Sequence, residues 1–159
     1  MARIFEKSSW GIVYRVNVFG NFEILLLERK NQKGKSIYVI PKGKIENEEK
    51  AKETALREIS EETWLSIDCL EIIKFITKIN FTFVASYKPW NPTINKDVYL
   101  FLVKYNWTED PQIKKQIEDE EEIQWEKFIW FKWFKIEELK WIEIKPDIYS
   151  YIKKNIQFM

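Results

Sequence analysis

The chain has no histidine, one cysteine and four glycines among 159 residues. Without histidine there is no conventional zinc site and no Ser–His nucleophile. Any catalysis must therefore run on carboxylates, Lys, Tyr or a metal. A lone Cys69 excludes an internal disulfide framework. No uncharged run approaches the ~18 residues that a membrane span requires. The opening MARIFEKSS lacks the apolar segment of a secretory leader. A cytoplasmic protein with no membrane partner is expected. An excess of either charge is also missing, since 26 Lys and Arg face 25 Asp and Glu for a net +1. Long nucleic acid usually calls for a basic track, so it is not an expected partner.

What remains is the composition of a globular protein, 45% apolar and 32% charged. The length suits one domain over residues 1–159 with a real core. Tryptophan is overrepresented: eight residues, against four glycines where an average chain would carry roughly 11.

Residues 9–17 and 22–29 are apolar, β-branched-rich runs on either side of a Gly20-Asn21 turn signal, read as a hairpin or consecutive strands. Ser36–Ile40 reads as a short strand that Pro41 ends. A helix is expected from an N-cap at Asn47, with Ala51, Ala55, Leu56 and Ile59 as its buried face. Strands follow at Leu70–Lys78, 80–87, Asp97–Tyr105 and 126–134, with a proline-bearing loop over 88–96. A short helix is expected to start at Ile136–Leu139. Pro146 then opens a last helix with Ile148, Tyr151, Ile152 and Ile156 on one face. Strands, one helix, more strands and a closing helix make an α+β or mixed α/β domain.

The stretch Gly43–Leu65 carries seven Glu in a segment read as mostly helix. Glu58, Glu61 and Glu62 fall at i, i+3 and i+4 on one helical stripe, beside the apolar face. Taken alone, this triplet reads as a solvated acidic face. A hard divalent cation held by carboxylate oxygens is the alternative.

The wider spacing reverses that order. Gly43, Glu49, Arg57, Glu58, Ile59, Glu61, Glu62 and Leu65 together resemble the signature of the Nudix hydrolases, G-x5-E-x7-R-E-U-x-E-E-x-G-U with U bulky and aliphatic. The resemblance runs from about Ser8 to Leu139. It implies an α/β/α sandwich with a mixed β-sheet and, as activity, cleavage of a pyrophosphate bond in a nucleoside diphosphate linked to another moiety. It also implies magnesium or manganese as cofactor. Glu58 and Glu62, one turn apart, would bind one ion. Glu61 would ligate a second or take a proton from water, and the Gly43 carbonyl would complete the oxygen shell. Glu49 and Arg57 are expected to pair and hold the loop against the helix. Many family members recruit a further acid from a distant loop. The cluster Glu118, Glu120, Glu121 and Glu122 stands where that acid would come from, with Glu121 or Glu122 as the candidate ligand; an exposed acidic loop is the equal alternative.

The Pro41-Lys42-Gly43 entry resembles diadenosine-polyphosphate and diphosphoinositol-type members. Lys42 would offer a point charge to a phosphate. Tyr38, and also Phe81, Phe83, Tyr87 or Tyr99, would stack a base, although aromatic residues on strands more often belong to the core. The expected substrate is a dinucleoside polyphosphate, ahead of an oxidised or noncanonical nucleoside triphosphate and of an RNA 5′-pyrophosphate. The contrasting class is a catalytically silent nucleotide sensor. The expected assembly is a monomer or homodimer.

Two positions depart from the family pattern, and both are Trp for Gly. Trp64 stands at the signature's last Gly, where a helix ends left-handed. Trp10 stands in a usual Gly-Gly pair with Gly11. One explanation covers both: UGA codons that specify glycine, as some bacterial lineages read them, rendered as Trp; a protein from an AT-rich gene that tolerates Trp at both places is the alternative. Trp90, Trp107 and Trp130 are further candidates, whereas Trp133 reads as genuine.

Overall fold

The computed structural model describes residues 3–31, 33–86, 88–106 and 130–156. Its frame is a mixed sheet of seven strands: β1 (Arg3–Val16), β2 (Phe22–Lys30), β3 (Ser36–Val39), β4 (Lys42–Lys44), β5 (Leu70–Val84), β6 (Thr93–Tyr105) and β7 (Trp130–Lys135). The main path runs β3-β2-β1-β6-β5, with β4 added to β1 and β7 to β2. β1 and β6 pair in parallel over a long register from Arg3↔Thr93 to Tyr14↔Lys104; the other pairs are antiparallel. The β1–β2 hairpin turns at Gly20, whose φ of 81° only glycine adopts freely.

Strand alternation divides the core into two layers. Ile12, Ile24, Leu26, Leu100 and Leu102 face one side, with Ile148, Ile152 and Ile156 of the C-terminal helix α2 (Pro146–Ile156). Their neighbours Val13, Leu25, Leu27, Phe101 and Val103 face the other side, with Ala55 and Ile59 of α1 (Ala51–Thr63). A one-residue step moves each side chain to the opposite face, so one sheet buries both surfaces under helices. This is the expected α/β/α sandwich.

Some boundaries differ from expectation. α1 begins after Lys50, not Asn47, because residues 46–49 close a turn in which Glu49 N–H donates to Glu46 O at 3.0 Å. Residues 70–84 form one continuous strand, whose register slips between Ile72 and Lys74 and between Phe75 and Thr77 absorb the imperfect alternation. β6 starts at Thr93, shortening the expected loop. The helix expected at Ile136 is a 3-10 turn, Ile136–Trp141. Glu118, Glu120, Glu121 and Glu122 lie outside the described residues, as do Tyr87, Trp107 and residues 126–129 of the expected aromatic strand. No described helix is long and apolar enough to cross a membrane.

Candidate active site

The acidic signature lies where α1 crosses β1 and β4. Glycine makes the crossing close. A Cβ on Gly11 would stand 2.7 Å from Ile59 Cδ1, and one on Gly43 would run into the Glu58 carboxyl group. The sequence gives Gly43 a role through its carbonyl; the structure adds a steric one, since a side chain there would evict Glu58.

Arg57 organises the acids. Its Nε donates to Glu49 Oε2 at 2.8 Å and its Nη2 to Glu49 Oε1 at 3.1 Å. Nη1 reaches Glu58 Oε1 at 2.9 Å and Glu61 Oε2 at 3.2 Å, and Nη2 also donates to the Lys44 carbonyl at 3.1 Å. Loop, β4 and helix are thus tied by one guanidinium, whose fork matches carboxylates as an ammonium cannot. Hydrogen bonds from Arg57 and from Thr54 Oγ1 hold Glu49 down at a pKa of about 2. The expected Glu49–Arg57 pair is present, and Arg57 also reaches two of the candidate ligands.

Glu58 and Glu62 are in the opposite electrostatic state. Burial raises the Glu58 pKa despite Arg57. Burial, reinforced by Glu58, pushes Glu62 up to about 8, although the Lys42 backbone N–H donates to its carboxylate. Glu62 Oε2 is buried without a hydrogen-bond partner. Glu61 is the exposed member of the triplet.

On the other side of Glu62, Lys42 and Tyr38 line one small cavity with Trp10, Ile40 and Lys145. Tyr38 packs edge-on against Phe134, with ring centroids 5.1 Å apart. Burial lowers the Lys42 pKa to about 8, with Lys145, Lys96 and Arg29 adding repulsion. A second cavity, of about 260 Å³, is lined by Lys42, Lys96 and Lys145 with Trp10, Phe81 and Phe83. Lys44 and Lys88 pair with Glu6, and Lys35 with Glu143. Lys42, Lys96 and Lys145 form no ion pair among the described residues. Sequence reasoning missed Lys96 and Lys145, because neither lies near the signature and only the fold brings β6 and the residue before α2 to the same cavity as Lys42. Tyr99 packs against Phe75 at 6.3 Å, half-buried at the edge of the layer that holds α1.

A family model for the NUDIX domain matches residues 8–154. The chain belongs to the NUDIX family. It is accordingly a hydrolase acting on pyrophosphate bonds. No curated protein matches it significantly. Among solved structures, the C. elegans Ap4A hydrolase in a binary complex shares 22% identity, with 96% of each chain covered and a TM-score of 0.64. The E. coli dihydroneopterin triphosphate pyrophosphohydrolase shares 14%, with 98% of this chain and 99% of that one covered and a TM-score of 0.63. The NUDIX domain of Shewanella oneidensis NrtR, complexed with ADP ribose, shares 14%, with 98% and 90% covered and a TM-score of 0.59. At such identities the likeness establishes the fold.

NUDIX hydrolases generally use divalent metal ions, and the donors here fit one. Half-buried carboxylates that repel one another, with a buried and orphaned Oε2 on Glu62, are in the environment a cation would relieve. Among the described residues no three acids converge into a complete cage.

Proposed function

We propose that the protein hydrolyses a pyrophosphate bond within a dinucleoside polyphosphate, using magnesium or manganese held by Glu58, Glu62 and the Gly43 carbonyl. One observation carries this reading: Lys42 bonds Glu62 through its backbone while its ammonium belongs to the cluster with Lys96 and Lys145. A diphosphate bound at the carboxylates would leave these lysines unsatisfied. A longer phosphate chain spans both features, its anhydride at the acids and its further phosphates at the cations. The likeness to the C. elegans Ap4A hydrolase supports the same substrate class.

A bound divalent ion would neutralise the anhydride and lower the pKa of water. The chain's own residues do the rest. Glu61, exposed at the rim, receives the proton from the attacking water. Arg57 and Glu49 hold Glu58 and Glu61 in place and are positioning residues. Lys42 orients the phosphates and Tyr38 flanks them.

A substrate panel with magnesium tests the reading. The expected result is metal-dependent turnover, with kcat/KM highest for diadenosine polyphosphates. Faster turnover of a noncanonical nucleoside triphosphate or of a 5′-triphosphorylated RNA would replace the substrate. Nucleotide binding with no turnover would replace the enzyme by a sensor. Glu61→Gln should keep the folded state and lower kcat by about 10²–10⁴-fold. A fully active variant would remove Glu61 from its role.

A further inference from the structure

Three described residues other than glycine have positive φ: Trp64 at 64°, Trp90 at 69° and Asn91 at 43°. Asn tolerates the left-handed region; a bulky aromatic residue is an outlier there, in a region that holds only a few per cent of non-glycine residues. Yet it holds two of the six described tryptophans (Trp10, Trp64, Trp90, Trp130, Trp133 and Trp141). Two of the chain's four glycines, Gly20 and Gly34, occupy the same region, with φ of 81° and 78°.

At Trp90 the side chain does nothing to offset the strain. Trp90 is 91% exposed, so its indole contributes no burial. Trp64 closes α1 with φ 64° and ψ 13°, its N–H donating to Ser60 O at 2.7 Å. That is a glycine C-cap in every backbone respect. By contrast, Trp133 stacks on Tyr105 at 5.7 Å, lies under Arg15 at 4.2 Å, and has extended backbone in β7. It is an ordinary tryptophan.

Trp10 is anomalous in another way. Its Nε1 is buried without a hydrogen-bond partner, an uncommon state for an indole. The ring, 5% exposed and part of the core layer, has the ammonium groups of Lys42 and Lys145 at 5.3 and 5.9 Å from its centroid and stacks on Phe81 at 5.7 Å. It is a shared wall of the two cavities that Lys42 and Lys145 also line, of about 20 and 260 Å³.

We infer that positions 64, 90 and 10 are glycine in the working protein, encoded by codons that its own translation reads as glycine, and that glycine at 10 joins the two cavities into one slot. The slot is bounded by Tyr38, Phe81, Lys42, Lys96 and Lys145, and it takes the nucleoside and outer phosphates of the substrate. The assignment of glycine at 64 and 90 rests on backbone geometry alone. The role of the slot also rests on the polyphosphate reading above.

Two measurements test this. Peptide mass spectrometry of the protein isolated from its own cells, read beside the gene, is expected to show glycine at 10, 64 and 90 opposite UGA codons. UGG at codons 64 and 90, or tryptophan-mass peptides there, would overturn the inference. Recombinant chains made with Trp and with Gly then separate the positions. Trp64→Gly and Trp90→Gly should each raise Tm by about 2–4 °C. Trp10→Gly should keep a cooperative transition and tighten binding of diadenosine tetraphosphate at least tenfold, read by calorimetry. Collapse of the fold would mark Trp10 as a genuine core residue. A folded Trp10→Gly chain with unchanged affinity would overturn the slot, and metal-dependent turnover of the substrate panel would still report separately on the proposed function.

Discussion

Arg57 and Glu49 form a two-pronged ion pair across the start of α1, Nε to Oε2 at 2.8 Å and Nη2 to Oε1 at 3.1 Å. Both side chains are largely shielded, and the remaining guanidinium donor reaches Glu58 and Glu61. The pair therefore links a turn outside the helix to two acids inside it. Arg57→Lys keeps the charge and loses the fork. It should lower unfolding free energy by about 1–3 kcal/mol, as should Glu49→Gln. Because the two residues share one interaction, the double variant should cost clearly less than the sum. Strictly additive losses in a denaturant-based double-mutant cycle would show that the pair is not a unit.

Glu49 also makes stability depend on pH. Its folded pKa of about 2 lies below the ordinary 4.5, so the folded state favours the ionised form. The contribution is complete above pH 4.5 and is lost as pH falls through about 2. The stability difference between the parent chain and Glu49→Gln should therefore narrow steadily across that window. Denaturant titrations at several pH values check this. A difference that stays constant down to the lowest pH would contradict the assignment.

The parts of the molecule legible in the sequence are those written in local spacing. The i, i+3, i+4 acids of α1, the alternation of Val13 with Ile12 and of Leu25 with Leu26, and the Ile148–Ile152–Ile156 stripe each declare a face. The start of α1 was not legible, because Asn47 is a good cap in isolation and yields to the tertiary demand that Glu49 reach Arg57. Nor was the lysine cluster. Lys42, Lys96 and Lys145 come from β4, β6 and the residue before α2, and no periodicity relates them. The aromatic candidates separate by face: Tyr38, Phe81 and Phe83 line a cavity, whereas Tyr99 packs half-buried on the side of the sheet that holds α1.

Glu62 predicts how metal and stability are linked. Its Oε2 is buried with no partner, and an ionised carboxylate in that position is costly unless a cation accompanies it. Glu62→Gln preserves shape and removes the charge. In chelator its Tm should equal or exceed that of the parent chain. Added magnesium should stabilise the parent, by about 2.7 kcal/mol at one hundred times Kd, and leave the variant unchanged. Thermal melts with and without the ion check both halves. An equal magnesium-dependent rise in the variant would place the ion elsewhere.

Gly11 and Ile59 set how closely α1 lies on the sheet. A methyl group on Gly11 would stand 2.7 Å from Ile59 Cδ1 and 3.3 Å from its Cγ1, and Ile59 is fully buried. The ethyl arm has no open solvent to swing into, so relief takes either a poorer Ile59 rotamer inside the packed layer or a lift of the helix. Gly11→Ala should cost about 1–3 kcal/mol, the usual range for overpacking. It should also lower kcat, because Glu58 precedes Ile59 and moves with it. Ile59→Val deletes Cδ1 at a cost of about 0.5–1.5 kcal/mol. In the Gly11→Ala background the same change relieves the collision, so the double variant should be more stable than Gly11→Ala alone and recover part of the activity. Chemical denaturation and kcat measured on the same three variants decide it. If Ile59→Val destabilises the Gly11→Ala chain as much as the parent, the contact does not limit the approach of α1 to the sheet.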